Sequence, residues 1–172
     1  MSNPWGLGIT HGTVTLMPHN PSWTAAFEHE ATAIRAAAGA RIVAIMHVGS
    51  IAIPGIMAKP LLDIMIGVAD LSDGPALEPL FRPLGYEYVP DAGVPEDHIF
   101  GKAQPRTHLV HVVQYEGNTW HRHLLFRDRL RADPDLAGQY ERLKLALAAT
   151  YPDNRGAYTA AKRAFIDDVV GR

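Results

Sequence analysis

A Gly-Ser pair and a single carboxylate stand out between two apolar runs of the sequence. Gly49 and Ser50 follow the run IVAIMHV, and Asp63 lies inside the run LLDIMIGV. A Gly-Ser turn offers backbone N–H groups and a hydroxyl that can cradle a phosphate. A carboxylate that faces this turn could hold Mg²⁺ against that phosphate. The alternative is a tight turn at the end of a strand, with no ligand.

The spacing around Asp63 indicates which way its side chain points. LLDIMIGV is typical of a buried strand, and side chains alternate between the two faces of a strand. Asp63 and Met65 therefore share one face, and Ile64 and Ile66 lie on the other. The apolar face can pack on helices, which leaves Asp63 directed towards a pocket or solvent.

The elements that must position these residues are predicted from hydrophobic periodicity. The chain of 172 residues suits one domain over residues 1–172. Strands in the first two-thirds and helices behind them indicate an α+β fold, a small mixed sheet with segregated helices. Predicted strands cover 14–17, 42–48, 61–68, 98–102 and 107–114. The first predicted helix begins after Asn20 and ends at Gly39. Further helices are predicted over 75–85, 119–132, 136–151 and 157–170.

Composition narrows the class of protein. The absence of cysteine excludes disulfides and thiolate metal sites. We find neither a membrane-length apolar segment nor a signal-peptide pattern at the amino terminus, so we expect a soluble cytoplasmic protein without membrane partners. Basic residues are concentrated in the last third of the chain. That third either faces an anionic ligand or forms a solvated helical surface, and it lacks the dense basic run of a nucleic-acid-binding protein.

Histidines near these runs are further candidates. His47 directly precedes the Gly-Ser turn, as a base or as a hydrogen-bonded structural residue. His108 and His111 are three apart on one predicted strand, so they point to opposite faces and do not share a metal. His111 lies on the face of Leu109 and either lines the site as a ligand, acid or base or has no role there. His123, in the helical region, is assigned a surface or capping role.

Basic side chains and tyrosines supply candidates for phosphate binding. Lys59 lies in the loop that faces the Gly-Ser turn. Arg106 and Arg127 could clamp a phosphate or carboxylate, although Arg127 could equally pair with Asp128. Two Tyr-x-x-x-Lys pairs each share one helix face. The pairs are Tyr140/Lys144 and Tyr158/Lys162. Either both pairs face a cleft, or they belong to amphipathic helices whose lysines snorkel into solvent.

Gly-Ser followed by an Asp in the next strand resembles the nucleotidyltransferase superfamily, whose pattern continues as Asp-x-Asp/Glu. More narrowly, the chain resembles the GrpB family over nearly its whole length. The segments that carry the resemblance are PHNPSWTAAF (18–27), HVGSIAIPGIMAKPLLDI (47–64), LGYEYV (84–89), RTHLVHVV (106–113), WHRHLLFRDRLRADP (120–134), YERLKLALA (140–148) and YTAAKRAFI (158–166).

The resemblance implies a nucleotidyltransferase-like fold and a nucleotide site, but this sequence departs from the superfamily pattern. Met65 occupies the second carboxylate position, and the strand 107–114 lacks the third carboxylate. A two-metal mechanism needs several carboxylates. Asp63 with a histidine and ligand phosphates could still hold one Mg²⁺.

These residues lead to three hypotheses. The first is an enzyme that transfers a nucleotidyl group to a small acceptor, with Asp63 and His111 as catalytic residues. The second is a nucleotide-binding module without catalysis, and the third is a small biosynthetic enzyme that joins or activates a carboxylate or amine. Phosphate would be held by Gly49, Ser50, Lys59, Arg106, Arg127, Lys144 and Lys162, in a pocket also lined by His47, Met65, His108, Tyr140 and Tyr158.

Overall fold

A computed structural model describes residues 3–92 and 95–172 of the protein. The strands are β1 (Ala44–Val48), β2 (Leu62–Val68), β3 (Tyr86–Tyr88), β4 (His98–Lys102) and β5 (His108–Gln114). The helices are α1 (Ser22–Ala38), α2 (Glu78–Phe81), α3 (Asn118–Ala132), α4 (Pro134–Thr150), α5 (Arg155–Ala161) and α6 (Arg163–Gly171).

The strands form one five-stranded mixed sheet in the order β1-β2-β5-β4-β3. β1 runs antiparallel to β2, and β2 runs parallel to β5. β4 runs antiparallel to both β5 and β3. The α+β fold with a small mixed sheet is therefore confirmed, and the strands on either side of the Gly-Ser turn are neighbours.

Helices cover both faces of this sheet, and each face has its own apolar cluster. On one face, α1 packs Trp23 and Phe27 in a cluster with Ile64 and Ile66 of β2. On the other face, Trp120 of α3 packs with Met65 of β2. Alternation along β2 thus sends neighbouring side chains into two different cores, and Asp63 belongs to the α3 side.

A third apolar cluster lies among the carboxyl-terminal helices. It joins the loop after the Gly-Ser turn, through Ile53 and Ile56, to Leu130 of α3, Tyr140 of α4 and Val169 of α6. The loop that follows the candidate phosphate-binding turn is therefore packed against α3, α4 and α6, of which α4 also carries the Tyr140/Lys144 pair.

Several predicted elements differ in the structure. Residues 14–17 form no strand and contribute only an isolated bridge between Met17 and Ala58. The helix predicted over 75–85 is mostly 3-10 turns around the short α2, because prolines interrupt it, and it ends at the left-handed Gly85. The last predicted helix is two helices, which meet at Lys162. The short strand β3 was missed.

A buried polar cluster ties α1 to the far end of the sheet. Glu30 is 4% exposed and accepts hydrogen bonds from Tyr86 Oη at 2.9 Å and Lys102 Nζ at 2.8 Å. Its other oxygen lies 3.6 Å from His108 Nε2. Burial alone raises the pKa of Glu30, but the hydrogen bond from Lys102 and the charges of His108 and Lys102 lower it below its ordinary value.

Replacing this carboxylate by an amide should destabilise the fold. We expect Glu30→Gln to lower the free energy of unfolding by about 2 kcal/mol, because Lys102 would lose its charged partner in a buried site. Urea unfolding followed by circular dichroism measures this change. Glu28→Gln, on an exposed position of the same helix, is the matched control, and an equal effect of the two variants would contradict the prediction.

Among residues 3–92 and 95–172, we find no helix with the length and apolarity needed to cross a membrane.

Candidate functional site

The Gly-Ser turn lies directly against Asp63. Val48, which precedes the turn, pairs with Asp63 in the β1–β2 register. Gly49 has φ 76° and ψ −176°, a backbone conformation that is essentially restricted to glycine. A Cβ at Gly49 would stand 2.4 Å from Asp63 Oδ2. Only glycine therefore lets the chain turn this close to the carboxylate.

Asp63 faces His111 on the neighbouring strand. His111 Nε2 lies 3.5 Å from Asp63 Oδ1, and His111 Nδ1 lies 2.9 Å from Asp97 Oδ2. The imidazole therefore stands between two carboxylates, with both ring nitrogens directed at carboxylate oxygens. The Asp63 side chain is 23% exposed, which leaves part of it open to a ligand.

The charge state of His111 follows from these neighbours. Burial lowers the pKa of His111, but hydrogen bonds and negative charge from Asp63 and Asp97 outweigh it and raise the pKa to about 10. The His123 ring lies 5.5 Å from the His111 ring. Burial, together with the His111 charge, lowers the pKa of His123 to about 4. At neutral pH, His111 is a cation and His123 is neutral.

Sequence analysis missed both Asp97 and His123. Asp97 precedes β4, and Ile99 of β4 pairs with His111 of β5. Because alternate residues share a face, Asp97 lies diagonally across from His111. The sequence shows that Asp97 and Ile99 share one face of a strand, but the pairing of Ile99 with His111 is given only by the structure. His123 was given a surface or capping role, whereas the first turns of α3 place its ring against His111.

The two Tyr-x-x-x-Lys pairs meet Lys59 in one buried cluster. Lys59 Nζ and Lys162 Nζ lie over the Tyr158 ring, 5.3 Å and 4.5 Å from its centroid. Lys144 Nζ lies 4.8 Å from the centroid of the Tyr140 ring. These are cation–π distances. Neither pair snorkels into solvent, since Lys144 is 1% exposed and Lys162 is 9% exposed.

The electrostatics of this cluster are those of crowded, buried amines. Burial, with the positive charges of Lys59 and Lys144, lowers the pKa of Lys162 to about 7, against the opposing effect of Asp63. Burial also lowers the pKa of Lys59, and Asp63 again opposes it. The negative charge of Asp63 therefore acts on the amines of both Lys59 and Lys162.

Lys144 has a different position from the other two lysines. Its amine donates a hydrogen bond to the carbonyl of Met57, and Glu141 of the same helix accepts from the Met57 N–H at 2.6 Å. Burial lowers the pKa of Lys144 to about 7, although the charge of Glu141 raises it. Lys144 and Glu141 thus clamp the loop that leads to Lys59.

The two tyrosines extend the cluster to the Gly-Ser turn. Burial raises the pKa of Tyr140 to about 12, against a hydrogen bond with the Ser50 side chain that lowers it. Tyr158 is fully buried, and within the described chain its hydroxyl has no hydrogen-bond partner. Ser50, Asp63, Lys59, Lys162 and these two rings therefore belong to one site.

Two arginines of α3 brace the turn from outside. Arg127 donates to the carbonyl of His47 at 3.0 Å and also pairs with Asp128 at 2.7 Å. Arg131 donates to the carbonyl of Ala52 at 2.8 Å. Arg127 therefore has the ion pair that sequence analysis gave as its alternative role, and it fixes the backbone that enters the turn.

The remaining predicted residues lie away from the lysine cluster. His47 stacks on Phe27 in the α1 core, its ring centroid 4.9 Å from that of Phe27. His108 lies beside Glu30 on the same side of the sheet. Arg106 lies over Gly101 of β4 and pairs with Glu87 at 2.7 Å. Met65 shares the face of Asp63, as alternation predicts, but it is fully buried beneath α3.

The donor set does not fit a resident Mg²⁺. Among the described residues, no group of three or more histidine, aspartate or glutamate side chains is arranged to hold a metal ion. Asp63 and Asp97 both direct an oxygen at His111, and a protonated imidazole has no lone pair to offer a metal.

Comparison with known proteins places this architecture. A crystal structure of the conserved protein GrpB from Enterococcus faecalis has a TM-score of 0.82 and 32% sequence identity, covering 91% of this chain and 95% of that one. A dephospho-CoA kinase from Mycolicibacterium paratuberculosis is 29% identical over 195 residues, which is 95% of this chain but 47% of that protein.

The relationship extends along nearly the whole sequence. The glutamate-rich protein GrpB of Alkalihalophilus pseudofirmus is 34% identical over 170 residues, covering 95% of this chain and 98% of its own. The sequence model described as "GrpB protein" matches residues 13–172. The chain therefore belongs to the GrpB family.

Proposed function

We propose that this protein binds a nucleotide or another phosphorylated small molecule and transfers a nucleotidyl group to a small acceptor. The observation that carries the proposal is the pair of amines, Lys59 and Lys162, held over Tyr158 with Asp63 as their shared negative charge. Buried cations favour an anionic partner, because charge that is removed from water must be paired.

A phosphate group suits this site in charge and in hydrogen bonding. Each ammonium offers three donors and no acceptor, whereas phosphate oxygens are acceptors. The Ser50 hydroxyl, which is hydrogen-bonded to Tyr140, adds a further donor in the turn that passes Asp63. The crowding that lowers the lysine pKa values would be relieved by a bound anion, so binding energy and amine protonation favour each other.

Asp63 is the group placed to assist transfer. An acceptor hydroxyl or amine would attack the α-phosphorus, its oxygen–phosphorus or nitrogen–phosphorus bond forming as the bond to pyrophosphate breaks. Asp63 would take the acceptor's proton, and the amines would stabilise the departing pyrophosphate. The resemblance to nucleotidyltransferases supports this reaction class, and one relative is named for its action on dephospho-CoA.

Binding without transfer is the second candidate. The observation that favours it is Met65, which fills the second carboxylate position of the superfamily pattern and is buried against Trp120. Such a protein would keep the phosphate pocket and lack turnover.

Removing one amine at a time tests the binding site. We expect Lys59→Met and Lys162→Met each to weaken ATP binding at least about tenfold at neutral pH, because each loses a charge-assisted contact in a buried site. Titration calorimetry measures the dissociation constants. Arg163→Met removes a positive charge from an exposed position next to Lys162 and should leave affinity unchanged.

Equal affinities of Lys59→Met, Lys162→Met and Arg163→Met would contradict the proposed site. Release of pyrophosphate from ATP with a panel of hydroxyl and amine acceptors then separates the two candidates. Turnover that is lost in Asp63→Asn supports transfer, whereas ATP binding without pyrophosphate release supports the binding module.

A further inference from the structure

The place where Asp63 could share a metal ion with a second carboxylate is occupied by a side chain. His111 stands between Asp63 and Asp97, 3.5 Å from an oxygen of the first and 2.9 Å from an oxygen of the second. The imidazole is held by α3 on one side, through His123. The ring therefore separates the two carboxylates that would otherwise have to bind one divalent ion together.

Positive charge for a phosphate comes from elsewhere in the same pocket. Lys59 and Lys162 place their amines over one ring, and the charges of both interact with Asp63. Lys144, behind them, interacts with Lys162. In a metal-dependent site, a divalent ion offsets the repulsion between carboxylates and phosphates. Here Lys59 and Lys162 lie where that offset is needed, and a bound phosphate would favour their protonated forms.

We infer that the pocket takes its phosphorylated ligand as the free anion, with Lys59 and Lys162 in place of a divalent metal ion. This inference rests on the proposed function and specifies the form of the ligand. It assigns Lys59 and Lys162 the charge neutralisation that Mg²⁺ supplies at carboxylate-rich sites.

Mg²⁺ should affect ligand binding at such a site in the direction opposite to that expected for a metal-dependent site. Mg²⁺ in solution binds the phosphates of ATP and reduces the negative charge that the ligand presents. A site built from amines then gains less from the complex, because the attraction scales with the product of the charges. Added Mg²⁺ should therefore weaken binding.

Titration of the wild-type protein with ATP in excess EDTA, and again in excess Mg²⁺, tests this. We expect binding to persist in EDTA and to weaken about threefold or more in Mg²⁺. Binding that is lost in EDTA and restored by Mg²⁺ would overturn the inference while leaving the proposed function intact. Absence of binding under both conditions would overturn the proposed function and the inference with it.

Titration with Mn²⁺ in the absence of ATP gives an independent measurement. The wild-type protein should give no saturable heat, since its carboxylates are bridged by His111. His111→Asp replaces the bridging imidazole by a third carboxylate and should create a saturable Mn²⁺ site. Saturable Mn²⁺ binding by the wild-type protein would overturn the inference, as would a folded His111→Asp variant that binds no Mn²⁺.

Discussion

Gly49→Ala should lower the free energy of unfolding by about 3 kcal/mol or more, because it combines backbone strain with a steric clash. The φ of 76° and ψ of −176° at Gly49 lie in a region that other residues essentially never occupy. The new methyl group would also stand 2.4 Å from Asp63 Oδ2 and 2.8 Å from Asp63 Cβ. Since β2 fixes Asp63, the turn must move away from it. Urea unfolding should show the loss of stability, and ATP titration should show a loss of affinity.

Gly55→Ala separates the two contributions. Gly55 lies in the same loop, has φ 81°, and has open space where a Cβ would stand. This variant should lose only about 1–2 kcal/mol, from backbone strain alone, and should keep its affinity for ATP. If the two glycine variants unfold with the same free energy, close contact between the turn and Asp63 is not what restricts position 49.

The part of the site that could be predicted from sequence depends on local spacing. Alternation along β2 places Asp63 and Met65 on one face, and helical spacing places Tyr158 on the same side as Lys162. Both rules follow from backbone geometry within one element. They hold wherever that element lies in the fold, so they identify candidate residues without knowledge of the neighbouring elements.

The part that could not be predicted depends on which elements become neighbours. Asp97 reaches His111 only because β4 pairs with β5 in one particular register. Met65 is buried rather than facing the pocket because Trp120 of α3 covers it. The periodicity of a strand shows which face a residue occupies. It does not show whether a helix closes that face, since this depends on tertiary packing.

The lysines illustrate the same limit in electrostatic terms. Sequence spacing left open whether Lys144 and Lys162 face a cleft or extend into solvent. Their burial depends on tertiary packing, since α3, α4 and α6 meet around the loop after the Gly-Ser turn and Lys59 of that loop lies over the Tyr158 ring. Because isolated amines favour water, burying both against tyrosine rings is a property of the assembled helices rather than of either helix alone.

The His111 imidazole lies between the carboxylates of Asp63 and Asp97. His111 has a pKa of about 10, above its ordinary value of 6.5, so its ring should remain protonated at neutral pH. By contrast, burial lowers the pKa of His47 and of His108 to about 4. Nuclear magnetic resonance of the imidazole carbons should therefore show a His111 signal that stays in the protonated position up to about pH 9.

Asp97→Asn should lower the His111 pKa by roughly two pH units, because it removes the carboxylate that accepts from Nδ1. A pKa that is higher in the folded than in the unfolded protein contributes stability. That contribution is complete below about pH 6.5 and is lost as the pH rises towards about 10. Asp97→Asn should therefore be less stable than the wild-type protein by about 2–3 kcal/mol at pH 7, and the difference should shrink at higher pH.

Lys144 and Lys162 titrate in the same range in both proteins, so their contribution cancels from the difference. Asp91→Asn makes the same change at an exposed position of the same loop and should alter neither quantity. An unchanged His111 pKa in a folded Asp97→Asn variant would show that Asp97 does not hold the imidazolium, and His111 would then depend on Asp63 alone.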